Sequence, residues 1–325
     1  MISTRLLFDT LRLCRRFGHE LRIALPLGAL SLGLGATPSL AEESTFLKEH
    51  HGFFHLLRGG EPDLKLSAMY QPENDEEAGP GSYDLLDMSA GLEVPIPLQE
   101  SLYLRAGFDY DARSYEFNST SRRVVPGLND TWHKISLTAG AGLFLGDDLL
   151  ITGVARPGIY TDLEEMTDED AMRLFGEGML VYRINPGTQI LAGAAYDEIY
   201  DDTPLYPLIG LRLMSEEGDL NVTLTFPREA RIGVHISTDA EVYGGLWITG
   251  DEYRLHADDV EFDAHIHDRR IGGGLRYWAN STFSFQLEGG VLYDSELEFK
   301  IRGEPVFRGE TQKTGYARLS MGLTF

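Results

Sequence analysis

The chain reads as all-β, a transmembrane antiparallel up-and-down β-barrel of about 14 strands, with 12 to 16 bracketing the count. Three observations carry that expectation. The last nine residues alternate without a slip: Ala317, Leu319, Met321, Leu323 and Phe325 are apolar, while Arg318, Ser320, Gly322 and Thr324 are polar or small. Similar alternation recurs along the chain, and the connections between segments run short, long, short, long. No segment after the N-terminal leader reaches about 18 consecutive apolar residues, so any crossing is made with strands.

The front of the chain has the layout of an export leader. Arg5, Arg12, Arg15, Arg16 and Arg22 precede an apolar and small run over 23–35, and Ser39 and Ala41 suit cleavage after Ala41. That run falls short of the ~20 residues a spanning helix needs. The expected division is a signal peptide over 1–41, a periplasmic N-terminal segment over 42–61 and an outer-membrane barrel over 62–325. Phe46, Leu47, Phe53, Phe54, Leu56 and Leu57 make segment 42–61 more apolar than a free tail. A plugging or docking helix and a disordered tail both fit it. Cys14 is the only cysteine and leaves with the leader. Disulfides, a cysteine nucleophile and thiolate metal sites are thereby excluded from the mature chain.

Net charge is −23, and removal of a leader holding five Arg against Asp9 and Glu20 brings the remainder to −26. Nucleic acid needs a basic face, so it is not an expected partner. A polybasic membrane-surface binder is equally excluded.

The first apolar faces are Leu64, Leu66, Ala68 and Tyr70, then Leu86, Met88, Ala90, Leu92 and Val94. Leu102, Leu104, Ala106, Phe108 and Tyr110 follow, then Ile135, Leu137, Ala139, Ala141 and Leu143. In segments 149–156 and 171–183, Val154, Phe175, Met179 and Val181 fall on the interior face, where a bulge would reverse the assignment. Later faces are Ile190, Ala192, Ala194 and Tyr196; Leu220, Val222, Leu224 and Phe226; Ala230, Ile232, Val234 and Ile236; and Phe283, Phe285, Leu287, Val291 and Tyr293. Tight connections fall at 95–100, 146–148, 184–187, 215–218, 239–240 and 279–281. Long ones fall at 71–82, 113–131, 161–170, 198–206, 250–264 and 295–311, and only 227–229 breaks the series. This is the asymmetry of periplasmic turns and external loops. Tyr70, Tyr83, Tyr110, Trp132, Tyr160, Tyr196, Tyr206 and Trp278 sit near strand ends, as interfacial girdles do. Gly140, Gly142, Gly176, Gly178 and Gly272 to Gly274 suit curvature or close approach by an interior side chain.

Charge falls on the opposite faces. The lumen-lining candidates are Arg105, Asp109, Lys134, Arg156, Glu177, Arg212, Arg231, His235, Arg276, Glu288 and Arg318, with Asp87, Glu93, Arg173 and Arg183 beside them. A 14-stranded barrel is wide enough to leave a channel, and opposed charges across a lumen orient solutes. Acid gathers in the long loops, at Glu73–Glu77, Asp162–Asp170, Asp197–Asp202 and Asp251–Asp263. Acidic loops concentrate cations and favour cationic or neutral cargo.

Catalysis has little to stand on. His235 and Ser237 share a face but lie about 6.5–7 Å apart along a strand, too far to form a dyad unaided. His265 and His267, near Asp258, Asp259, Glu261 and Asp263, and His50, His51 and His55 meet no strict ligand spacing. No catalytic residue, metal site or cofactor is expected.

Val94-Pro95-Ile96-Pro97-Leu98, Arg105 to Tyr110, the strand from Trp132 onward to Ala155-Arg156-Pro157-Gly158, Tyr206 to Leu211 and the C-terminal strand together resemble an uncharacterised family of bacterial outer-membrane barrels, a domain of unknown function. The resemblance spans the mature chain and implies fold and location, with no residue role attached. The expected function is passive, porin-like passage of small solutes. A structural or surface-interaction barrel is the alternative, followed by a lipid-modifying enzyme. Expected partners are outer-membrane lipids and the barrel-assembly machinery, the latter through Leu319, Met321, Leu323 and Phe325.

Overall fold

The structure is a computed structural model that describes residues 62–72, 83–117, 131–163, 169–197, 204–215, 218–257, 260–311 and 313–325. Residues 1–41, expected as a signal peptide, and segment 42–61 lie outside these residues. In chain order the strands are β1 (Asp63–Gln71), β2 (Tyr83–Gln99), β3 (Leu102–Phe117), β4 (Thr131–Leu145), β5 (Leu149–Thr161), β6 (Met172–Asn185), β7 (Thr188–Tyr196) and β8 (Leu205–Met214). They continue as β9 (Leu220–Phe226), β10 (Glu229–Ser237), β11 (Ala240–Ala257), β12 (Val260–Trp278), β13 (Phe283–Ile301), β14 (Glu304–Thr311) and β15 (Thr314–Thr324).

From β1 to β13 each strand pairs antiparallel with its sequence neighbours, and β15 pairs with both β13 and β1. The wall therefore closes at 14 strands. The seam runs from Asp63↔Thr324 to Tyr70↔Ala317, and the Phe325 amide donates to the Pro62 carbonyl at 3.0 Å. Hydrocarbon cannot satisfy a free strand edge, so this seam is the condition for spanning at all. β14 lies outside the wall. It folds back on upper β13, from Ser295↔Thr311 to Ile301↔Glu304. The stretch 295–311, expected as a loop, is thus mostly a hairpin, and 250–264 likewise continues β11 and β12 to Ala257↔Val260. Both extend the alternation that the sequence reading stopped short of.

The outward rows are the expected apolar ones, with Leu137, Ile209 and Leu287 at 58, 62 and 60% exposure. In β5 and β6 the register keeps Leu150 and Val181 fully buried on the inner side. The tyrosines and tryptophans expected as a girdle divide. Tyr196 faces outward, but Tyr83, Trp132, Tyr160 and Tyr206 are buried in interior clusters, and Trp278 stacks inside on His235. Strand-end position alone does not distinguish an interfacial ring from one filling the mouth.

Interior glycines make room for rings laid flat on the wall. A Cβ at Gly142 would stand 2.1 Å from the Tyr103 ring, and one at Gly272 would stand 2.3 Å from Tyr316 Oη. Gly178 has no such neighbour, and nothing in the structure explains it.

Leu287→Arg would set a cation on the lipid side of β13 near the middle of the apolar band. A loss of about 2–4 kcal/mol is expected. Urea unfolding in lipid vesicles, followed by tryptophan fluorescence, checks it.

Candidate functional site: the barrel interior

β11 follows β10 only as far as Trp247, where Glu229↔Trp247 is the uppermost pair. The Ile248 amide then donates to Arg228 O at 2.8 Å, and beyond it the β11–β12 hairpin leaves the wall. Arg254 forms a parallel bridge with Thr161 of β5. β4 and β11 stand opposite each other in a 14-membered ring. A round barrel of that size, with strands about 4.8 Å apart and tilted ~40°, is roughly 28 Å across. The hairpin has therefore leaned over the rim that carries the long connections.

Its two faces differ. Tyr253, Leu255, Phe262, Ala264 and Ile266 join a cluster with Tyr115, Trp132, Leu297 and Phe299. Ring centroids lie 4.2 Å apart for Tyr115–Trp132, 5.6 Å for Trp132–Tyr253 and 5.6 Å for Phe262–Phe299. The other face is ionic. Arg173 of β6 reaches Glu252 at 2.6 Å and Asp263 at 3.4 Å. Arg254 pairs with Glu261 at 2.7 Å, Asp263 at 3.2 Å and Asp170 at 3.2 Å. His265 Nδ1 sits 3.6 Å from Glu252 on the same face. Aromatic packing on one side and an ionic latch on the other hold the hairpin across the mouth.

Below the cluster a charged belt crosses the lumen. Asp251 of β11 takes Lys134 Nζ of β4 at 2.7 Å and Arg113 Nη2 of β3 at 3.0 Å. Arg113 also meets Asp87 of β2 at 3.2 Å. The acids of 250–264 were expected to face outside solution as cation collectors. Asp251 and Asp263 instead spend their charge on Arg and Lys within the mouth, because the stretch is a hairpin folded inward rather than a solvated loop.

Nearer the short turns the wall carries the remaining candidates. Glu241 takes Arg231 at 2.6 Å, with Arg276 at 3.7 Å. Arg276 donates to Gln286 Oε1 at 2.9 Å. Glu288 accepts from Tyr243 at 2.8 Å and Tyr316 at 3.0 Å. Arg105 pairs with Glu93 at 3.2 Å, and Thr138 donates to Asp109 at 3.3 Å. Among the described residues Arg318 reaches only Met69 Sδ, at 3.6 Å. Arg156 lies over the Phe175 ring at 5.0 Å. Glu177 pairs with Arg228, which also receives support from Tyr206 Oη at 2.9 Å and the Phe175 face at 4.9 Å. Arg212 has no hydrogen-bond or ion-pair partner among the described residues. Arg183, read as interior, pairs with Asp148 at 3.2 Å at the short-turn rim.

Asp251, Arg113, Glu241 and Arg228 escaped the sequence reading. Arg113-Ser114-Tyr115-Glu116-Phe117 alternates, and it would have extended β3 had that pattern been followed. Arg228 sits in the one short connection that broke the long series, and brevity there turns the side chain inward.

His235 and Ser237 do not come together. A register shift separates them, the His235 ring stacks on Trp278 at 5.6 Å, and Ser237 Oγ accepts from the Asp239 amide at 3.3 Å. His267 of β12 stands opposite Glu296 of β13 in register. His50, His51 and His55 lie outside the described residues.

The family described as "Domain of unknown function (DUF6268)" matches residues 128–323, and the chain belongs to that family. No curated protein matches it. Among solved structures the chain is similar to the COG4313 outer membrane channel from Pseudomonas putida F1, at 11% identity and TM-score 0.41, over 82% of this chain and 96% of that one. It is similar to the TodX monoaromatic hydrocarbon channel deltaS2 mutant at 9% identity and TM-score 0.40, over 82% and 90%. LpxR from Salmonella typhimurium is similar at 10% identity and TM-score 0.37, over 81% and 100%. No residue role passes to this chain from any of the three.

Asp251→Ala would leave two largely buried cations facing each other. Removing one partner of a buried ion pair costs about 3–5 kcal/mol. The urea midpoint in detergent is expected to fall accordingly, with the double variant Asp251→Asn, Lys134→Met recovering part of the loss.

Proposed function

We propose that this member of a family of unknown function is an outer-membrane channel for passive passage of small solutes, and that its route follows the wall from β6 to β10. The observation that carries the reading is the division of the mouth. The hairpin fills the side next to β1–β5 and β13 with apolar rings, while its ionic face and Arg173, Glu177, Arg212, Arg228 and Arg231 carry charge on the other side, beside a small apolar cluster of Ala195, Tyr206 and Leu208. That sector also has the lowest wall, since β9 has seven residues and β10 nine. Solute then meets Arg228, Glu177 and Phe175 before reaching Arg212 and Arg231. A lining of charged side chains is suited to hydrated solutes and wrong for a hydrocarbon path.

Location follows the same reasoning. The exposed apolar band faces outer-membrane lipid, the short turns lie in the periplasm, and the leader over 1–41 is removed on export. Leu319, Met321, Leu323 and Phe325 offer the assembly machinery an apolar terminal row. A second reading, a structural barrel without transport, draws support from the aromatic packing across the mouth.

Single-channel recording in planar bilayers separates the two. The refolded mature chain is expected to conduct, and the double variant Arg173→Ala, Arg254→Ala is expected to conduct at least twofold better because the latch is released. A closed trace over many insertions of both proteins, with heat-modifiable migration intact, would favour the structural barrel.

A further inference from the structure

Four successive strands place a set of polar side chains together that the pairing scheme of the lumen leaves unused. Arg212 of β8 faces Thr223 of β9 in register, and Thr223 faces Arg231 of β10. The two arginines therefore stand two strand spacings apart, roughly 10 Å between Cα atoms, on one inward row. Gln189 of β7 is the register partner of Arg212 on its other side. Asn221 lies two residues from Thr223, opposite Gly233.

This row lacks carboxylate. Arg212, Arg231 and Arg276 have Glu241 as their common acid, and Glu241 is taken at 2.6 Å by Arg231. The neighbouring Glu288 is already claimed by two tyrosine hydroxyls. Arg212 is left without an acceptor among the described residues. Gln189 Oε1, Asn221 Oδ1 and the second carboxylate oxygen of Glu241 are buried without a donor, so the guanidiniums of Arg212 and Arg231 must outweigh one partly paired acid. Buried polar atoms are nearly always satisfied, so a cluster of unsatisfied ones marks a place where something polar binds. Turning either amide by half a rotation presents two N–H donors to the same space. Guanidinium, amide and hydroxyl donors together match an oxyanion, which a guanidinium can hold with two parallel N–H···O bonds.

We propose that Arg212 and Arg231, with Gln189, Thr223 and Asn221, form an anion-binding site in the lower lumen that takes small oxyanions of the phosphate or carboxylate class. The site rests on the channel reading for its role in transport, where it makes passage anion-selective. The sign is opposite to that expected from the acidic connections. Among the described residues, Asp251, Glu252 and Asp263 are paired at the mouth, whereas the polar row below them carries excess arginine. An arginine with no ion-pair partner in a lumen selects by charge at close range.

Two measurements on the refolded mature chain test it, with inorganic phosphate as the probe. In calorimetry in detergent, phosphate is expected to bind the wild type, to bind Arg212→Ala at least tenfold more weakly, and to bind Arg212→Lys with intermediate strength. Arg308→Ala, at its pair with Glu296 on β14 outside the wall, is expected to bind like the wild type. In bilayers under a potassium chloride gradient, the reversal potential is expected to show anion preference, weakened in Arg212→Ala and inverted in Arg212→Glu. Heat-modifiable migration of each variant confirms that it has folded. If bilayers stay closed while calorimetry shows the Arg212-dependent loss, the channel reading falls and the site stands. Absence of phosphate binding, or binding unchanged in both Arg212→Ala and Arg231→Ala, overturns the site even if the barrel conducts. Binding lost equally in Arg308→Ala overturns it as well, as a nonspecific charge effect.

Discussion

The seam between β1 and β15 is the constraint from which the rest follows. In hydrocarbon each unpaired backbone group costs several kcal/mol, so the chain is a membrane protein only if its first and last strands find each other. Eight consecutive register pairs, from Asp63↔Thr324 to Tyr70↔Ala317, meet that condition. The seam also fixes which face of β15 looks outward, and each ladder hands the same choice to the next strand. A slip of one residue would turn Arg318 toward lipid and Leu319 into the lumen.

Closure at 14 strands creates a second problem, because the ring is too wide for wall side chains to meet across it. The protein answers with length. β11, β12 and β13 have 18, 19 and 19 residues, against the 9–11 that a tilted strand needs to cross. The surplus above the apolar band becomes a hairpin that folds inward. Apolar packing drives the fold on one face, while ion pairs with β6 set its position on the other. Glycines at 142 and 272 serve the same economy of space, letting tyrosine rings lie along the wall where a Cβ would hold them off.

The wall was legible because its signal is local. Lipid contact writes a two-residue period into Ala317 to Phe325 as plainly as into Leu102 to Tyr110, and turn chemistry marks the short rim. The interior was legible only by parity. Parity identifies Arg212 or Glu288 as facing inward, but pairing depends on strands far apart in sequence. Asp251 meets Lys134 at a separation of 117 residues, which no alternation records. The same gap explains the tyrosines and tryptophans taken for a girdle. Trp132 and Tyr160 sit at strand ends, yet the apolar surface they contact is brought to them by a hairpin encoded about 90 to 120 residues later. Stretches 113–117 and 250–264 were read as parts of long connections, whereas β3, β11 and β12 run through them. These strands continue past the bilayer.

Net charge illustrates how little a global quantity says about a path. The chain carries −23, and acid dominates the long connections. At the mouth, however, Asp251, Glu252 and Asp263 are each matched by Lys134, Arg113, Arg173 or Arg254, so their outward field is largely cancelled. Deeper, the matching runs out in the other direction: one glutamate is shared among three arginines, pairing with Arg231 and Arg276 but not with Arg212. Paired charge holds strands together and contributes little potential beyond its immediate neighbours, whereas unpaired charge in a confined, poorly solvated space acts at full strength. In the proposed channel, a solute would feel the charge left over after structural pairing, and among the described residues of the lower lumen that charge is Arg212.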